Sequence, residues 1–114
     1  AITNRGIAYA QINQPAMALK DFTRCLELEP GKSSVYLHRG FCYIQLKEYG
    51  KAIEDLNAGL RLDPANPEFF LRLSEAKYHL KQYKEAYSDV LVARNTGMKV
   101  DNKYFEALKN AAAN

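Results

Sequence analysis

The chain has 114 residues, 47% of them hydrophobic and 25% charged, with a net charge of +3. Lys and Arg alternate with Asp and Glu, so the basic stripe that holds a nucleic-acid backbone is missing, and no nucleic acid is expected as a partner. Apolar runs such as Val90 to Ala93 fall far short of the roughly 20 residues that span a bilayer, which excludes membrane insertion by such a segment.

From Ile2 to Ile12 the residues Ile2, Gly6, Tyr9 and Ile12 share one stripe at the three-and-four spacing of an amphipathic helix. Pro15 suits a first helical position, and Ala18, Phe22, Cys25, Leu26 and Leu28 carry the apolar face of a second helix that Glu29-Pro30-Gly31 ends. So short a turn predicts an antiparallel hairpin. A second hairpin starts with Ser33 or Ser34 as N-cap, places Tyr36, Gly40, Tyr43 and Leu46 on its first stripe, and follows Tyr49 with Ala52, Leu56, Leu60 and Leu62. A third opens at Asn66-Pro67-Glu68, where Asn66 can cap and Glu68 complements the positive helix end. Its stripes are Phe70, Leu73, Ser74 and Leu80, then Tyr83, Ala86, Val90 and Ala93, and Gly97 is placed for a left-handed turn. Asp101 then caps a lone helix with Tyr104, Leu108 and Ala111 on one side. The chain opens at Ala1 inside a helical pattern and reads as a piece of a longer protein.

The three hairpins are copies. A shift of thirty-four residues superposes Arg5, Gly6, Tyr9, Gln11, Ala18, Asp21, Leu26, Leu28 and Pro30 on Arg39, Gly40, Tyr43, Gln45, Ala52, Asp55, Leu60, Leu62 and Pro64. The same shift brings Leu37, Leu46, Lys47, Tyr49, Ala52 and Asp55 onto Leu71, Leu80, Lys81, Tyr83, Ala86 and Asp89. Such a period marks a stack in which each unit buries its apolar face against its neighbours. Recurrent Gly6 and Gly40 imply helices too close for a side chain, with about 1–3 kcal/mol lost if one is forced in. Recurrent Arg5, Arg39, Asp21, Asp55 and Asp89 read as a pairing between helices, with a charged docking strip as the alternative. Cys25 and Cys42 align with Gly59, Ala93, Ala8 and Ala76 and read as small buried packing residues without metal spacing.

These residues resemble the tetratricopeptide repeat family over residues 1 to 100, with repeats at 1–32, 33–66 and 67–100 and a capping helix at 101–113. On the first helix the family's large, small and aromatic positions hold Ile2, Gly6 and Tyr9, then Tyr36, Gly40 and Tyr43. On the second they hold Ala18, Phe22, Cys25 and Pro30, then Ala52, Leu56, Gly59 and Pro64. The third repeat departs at Ser74, Lys77 and Met98. The resemblance implies an all-α, right-handed solenoid of three helix hairpins plus a capping helix, forming one domain over 1–114. It also implies that first helices line a concave groove that binds a protein or peptide partner.

The groove stripes are then Asn4, Ile7 and Gln11; Leu37, His38, Phe41, Ile44 and Gln45; and Leu71, Arg72, Glu75, Tyr78 and His79, with Phe105 and Lys109 on the end helix. Phe41 and Tyr78, with Leu37 and Leu71, are expected to make an apolar floor beside Arg72 and Glu75. Leu37, Phe41, Ile44 and Leu71 can equally pack sideways between helices, and Tyr78 can be the third repeat's missing packing aromatic. The family's clamp for acidic chaperone tails would fall on Thr3, Ile7, His38, Glu68 and Arg72. Only Arg72 has the required type, so affinity for such tails is not expected. His38 and His79 lack a third metal ligand, and no phosphate loop or nucleophile motif occurs, so neither cofactor, metal nor enzyme activity is expected. The expected role is an interaction module, with a self-associating structural segment or the regulatory arm of a larger protein as alternatives, in a cytoplasmic setting.

Overall fold

A computed structural model describes residues 2–11 and 13–113, without the side chains of Ile2, Thr3 and Ala10. The stripe positions Ile2 and Ile12 and the clamp position Thr3 therefore lie outside what is described. The helices are α1 (Ile2–Gln11), α2 (Pro15–Leu28), α3 (Ser33–Gln45), α4 (Tyr49–Leu62), α5 (Pro67–His79), α6 (Tyr83–Asn95) and α7 (Asn102–Ala113), with no strand among the described residues. Each helix packs on the next, and the first helices also touch one another, α1 on α3 and α3 on α5. The result is an α-solenoid of 44 × 26 × 22 Å with a radius of gyration of 14.1 Å, longer than the roughly 13 Å of a compact chain this size.

The turn inside every hairpin is the same device. Asn13, Lys47 and Lys81 take positive φ of 62°, 62° and 63°, and the next N–H reaches back five residues, Gln14 to the Tyr9 carbonyl at 2.8 Å, Glu48 to Tyr43 at 2.8 Å and Gln82 to Lys77 at 2.9 Å. This closure satisfies the last carbonyls of the first helix and points the chain back along it. Gly97, at φ 96°, closes α6 in the same way, with the Met98 N–H on the Ala93 carbonyl at 3.2 Å. Asn66 caps α5 by accepting from the Glu68 N–H at 3.0 Å. The expected serine cap of α3 is corrected: Lys32 holds that position without a side-chain bond, and Ser33 is already helical.

Size complementarity threads the core. A Cβ on Gly6 would stand 2.7 Å from the Phe22 ring, and one on Gly40 2.9 Å from Leu56. In the third repeat these positions hold Ser74 and Val90, both fully buried; the partner shrinks as the small residue grows. Between repeats, Phe69 sits over Gly59, so that a side chain at Gly59 would strike its ring. Phe69 rather than Phe70 is accordingly the fully buried phenylalanine of α5, because it occupies the place of Val35, which faces the preceding second helix. Leu28, Leu46, Leu62 and Leu80, expected on apolar faces, are 57%, 37%, 50% and 42% exposed. They stand in the last turn of a helix or just past it, where the neighbouring helix no longer covers them.

Ion pairs tie each hairpin across its two helices. Arg5 grips Asp21 with two bonds of 2.9 and 2.7 Å, and Arg39 grips Asp55 with two of 2.7 Å. The Arg5 bonds hold the Asp21 carboxyl below its ordinary value. In the third hairpin Leu73 stands where the arginine was, and Lys77, in the place of Tyr9 and Tyr43, bonds Asp89 at 2.7 Å instead. Burial pushes the Asp89 carboxyl up against the opposing pull of Lys77. Cys25 and Cys42 are buried, and burial pushes the Cys42 thiol up to about 11.

Candidate functional site

The layer of first helices encloses a cavity of about 280 Å³ lined by Ile7 and Gln11 of α1, Leu37, His38 and Phe41 of α3, and Glu68 and Arg72 of α5. Each helix contributes residues three or four apart, one turn of a single face. Ile7, Leu37 and Phe41 supply the apolar part. Leu37 is also a core residue, buried with Phe69 and Leu73, so the floor is fixed by the packing of α3 on α5.

The polar wall is already partly satisfied from within. Arg72 lies over the Phe41 ring at 4.3 Å, bonds Glu75 at 2.9 Å and stands 3.8 Å from Glu68. His38 stacks on Phe22, with ring centroids 5.6 Å apart and an interplanar angle of 18°. Burial lowers its pKa from the ordinary 6.5, opposed by the charge of Glu68, so the imidazole is neutral at neutral pH.

Of the expected groove residues, Ile7, Leu37, His38, Phe41 and Arg72 line this cavity, whereas Asn4, Leu71, Glu75 and Tyr78 do not. Asn4 is exposed on α1, and Glu75 acts on the cavity only through Arg72. The floor shared by Phe41 and Tyr78 is corrected. Leu71 and Tyr78 pack against the cluster of Ala86, Val90, Phe105 and Leu108, and the Tyr78 ring meets Tyr83 and Tyr104 at 5.7 and 5.9 Å. Tyr78 occupies the place of Ile44, which packs toward the next first helix; for α5 that neighbour is α7. Phe105, also expected in the groove, is buried, with Tyr87 at 5.6 Å and Arg94 at 4.3 Å from its ring. His79 is exposed and stacks on Tyr49 at 4.7 Å. Gln11, expected on the α1 groove stripe, also lines the cavity, and one lining residue was not among the expected groove residues: Glu68, one turn before Arg72 on the same face of α5. That spacing was the available signal for Glu68.

Family models for the tetratricopeptide repeat match residues 1–32 and 33–66, more than half of the chain and the helices of two of the cavity's three walls. The chain belongs to the tetratricopeptide repeat family. Among solved structures, this repeat array is similar to the first such domain of Spaghetti (RPAP3) bound to the HSP90 peptide SRMEEVD, with a TM-score of 0.92, 18% identity and coverage of 99% of this chain and 91% of that one. It is also similar to the Arabidopsis OM64 domain, with a TM-score of 0.86, 22% identity and coverage of 98% and 91%. A third likeness is to PcrH in complex with the chaperone-binding region of PopD, with a TM-score of 0.81, 22% identity and coverage of 98% and 80%. A search of curated proteins gave no match.

Proposed function

We propose that this array is a protein-interaction module that holds a segment of a partner protein against its first-helix face, with the cavity between α1, α3 and α5 as the principal contact. The observation that carries the reading is the cavity itself: an apolar floor of Ile7, Leu37 and Phe41 inside a polar rim of Gln11, His38, Glu68 and Arg72, the usual distribution at an interface anchor. Similar domains bound to an HSP90 peptide or in complex with a region of PopD support the class of ligand. The reading does not extend to acidic tails. At the clamp positions with described side chains, Ile7 is apolar, His38 is stacked on Phe22, Glu68 is an acid, and Arg72 is engaged by Glu75 and Phe41.

The test uses peptides selected from a displayed random library on the immobilised protein. Phe41→Ala is expected to weaken the best of them by about tenfold or more while the protein stays folded by circular dichroism. Tyr78→Ala is expected to lower the melting midpoint instead, because its ring packs against α7. Unchanged affinity in Phe41→Ala would contradict the cavity as the contact.

A further inference from the structure

We infer that the cavity selects a partner segment in which a large apolar residue is adjacent to a lysine or arginine, the apolar side chain filling the floor and the cation pairing with Glu68. This rests on the reading of the cavity as the binding face and adds the chemistry of what enters it.

Size argues for one side chain. At about 280 Å³ the space lies below the roughly 300–1,000 Å³ of small-molecule sites, and Ile7, Leu37 and Phe41 offer a floor that only an apolar group fills without leaving unpaired polar atoms.

Charge argues for the neighbour. The wall carries one carboxylate, Glu68, and one guanidinium, Arg72, and Arg72 already bonds Glu75, outside the lining, at 2.9 Å and lies over the Phe41 face at 4.3 Å. Glu68 is held more loosely. Its nearest oxygen is 3.8 Å from Arg72, its side chain is 41% exposed, and that distance is beyond hydrogen-bond reach. His38 adds no positive charge at neutral pH, since burial keeps its pKa low. An incoming carboxylate would meet Glu68 and an arginine already paired with Glu75; an incoming cation finds one acid with room for a direct bond.

The experiment is peptide selection from a displayed random library on the wild-type protein and on Glu68→Lys, followed by fluorescence anisotropy of the leading peptides. Wild type is expected to enrich a large apolar residue next to Lys or Arg, and Glu68→Lys to enrich Asp or Glu at that neighbouring position. Glu68→Gln, which keeps the shape of the side chain, is expected to lower affinity for the leading peptide about two- to fivefold at low salt. Enrichment of acidic neighbours on wild type, or affinity unchanged from wild type in both Glu68→Gln and Glu68→Lys while Phe41→Ala weakens binding, overturns the charge preference and leaves the cavity as the binding face. If Phe41→Ala is also without effect, the cavity reading falls with it.

Discussion

At Asp89 the partner cation arrives from a different turn of the first helix: Arg5 and Arg39 stand sixteen residues before their aspartates, Lys77 twelve before its own. The third repeat loses the arginine to Leu73 and the aromatic to Lys77, and the two changes compensate because Lys77 reaches the equivalent acid. Both substitutions are visible in the sequence; what hid their connection is that the Lys side chain must travel one turn along α5. Removing Lys77 leaves the partly buried Asp89 without its cation, so Lys77→Met is expected to destabilise the fold by about 1–2 kcal/mol. A double-mutant cycle with Asp89→Asn should show coupling of about 1 kcal/mol or more in urea unfolding; zero coupling would contradict the pairing. The pH dependence has a definite sign. Asp89's folded pKa is above its unfolded value, so this group stabilises the fold below the unfolded value and loses that contribution as pH rises through the folded one. Lys77→Met raises the folded value further, so its deficit against wild type should be larger at neutral pH than in acid.

α7 docks through chemistry that the repeat pattern leaves out. The Ser74 hydroxyl donates to the Leu71 carbonyl at 2.6 Å, and with that proton committed it accepts from the Tyr104 hydroxyl at 2.9 Å. A glycine at that position, as in the first two repeats, would offer Tyr104 nothing. The departure at Ser74 therefore belongs to the last repeat's contact with its capping helix. The stripe of Tyr104 and Leu108 was readable from spacing, and Leu108 is fully buried; Phe105 was not, because its place beneath Tyr87 and Arg94 depends on how α7 is rotated against α6. Tyr104→Phe keeps the ring and is expected to cost about 1 kcal/mol through the lost bond. Tyr104→Ala also uncovers Tyr78 and should cost about 3 kcal/mol or more. Urea denaturation checks both, and a Tyr104→Ala variant as stable as wild type would contradict the latch.

For the whole molecule, the period alone made the solenoid legible, since any residue thirty-four positions from a packed one meets the same kind of neighbour. The candidate site was legible only in part, for the same reason. Leu37 and Leu71 are equivalent positions, as are Ile44 and Tyr78, yet α3 has another first helix beside it where α5 has α7. The floor thus forms on Ile7, Leu37 and Phe41, and the residues one repeat later close onto the end of the stack. The most direct measurement is nuclear magnetic resonance of the labelled protein titrated with the leading selected peptide. The largest shifts are expected at Ile7, Leu37, His38, Phe41 and Arg72, with Leu28, Leu46, Leu62 and Leu80 unmoved. Shifts concentrated on those four exposed leucines, with the cavity residues silent, would show that the partner docks elsewhere.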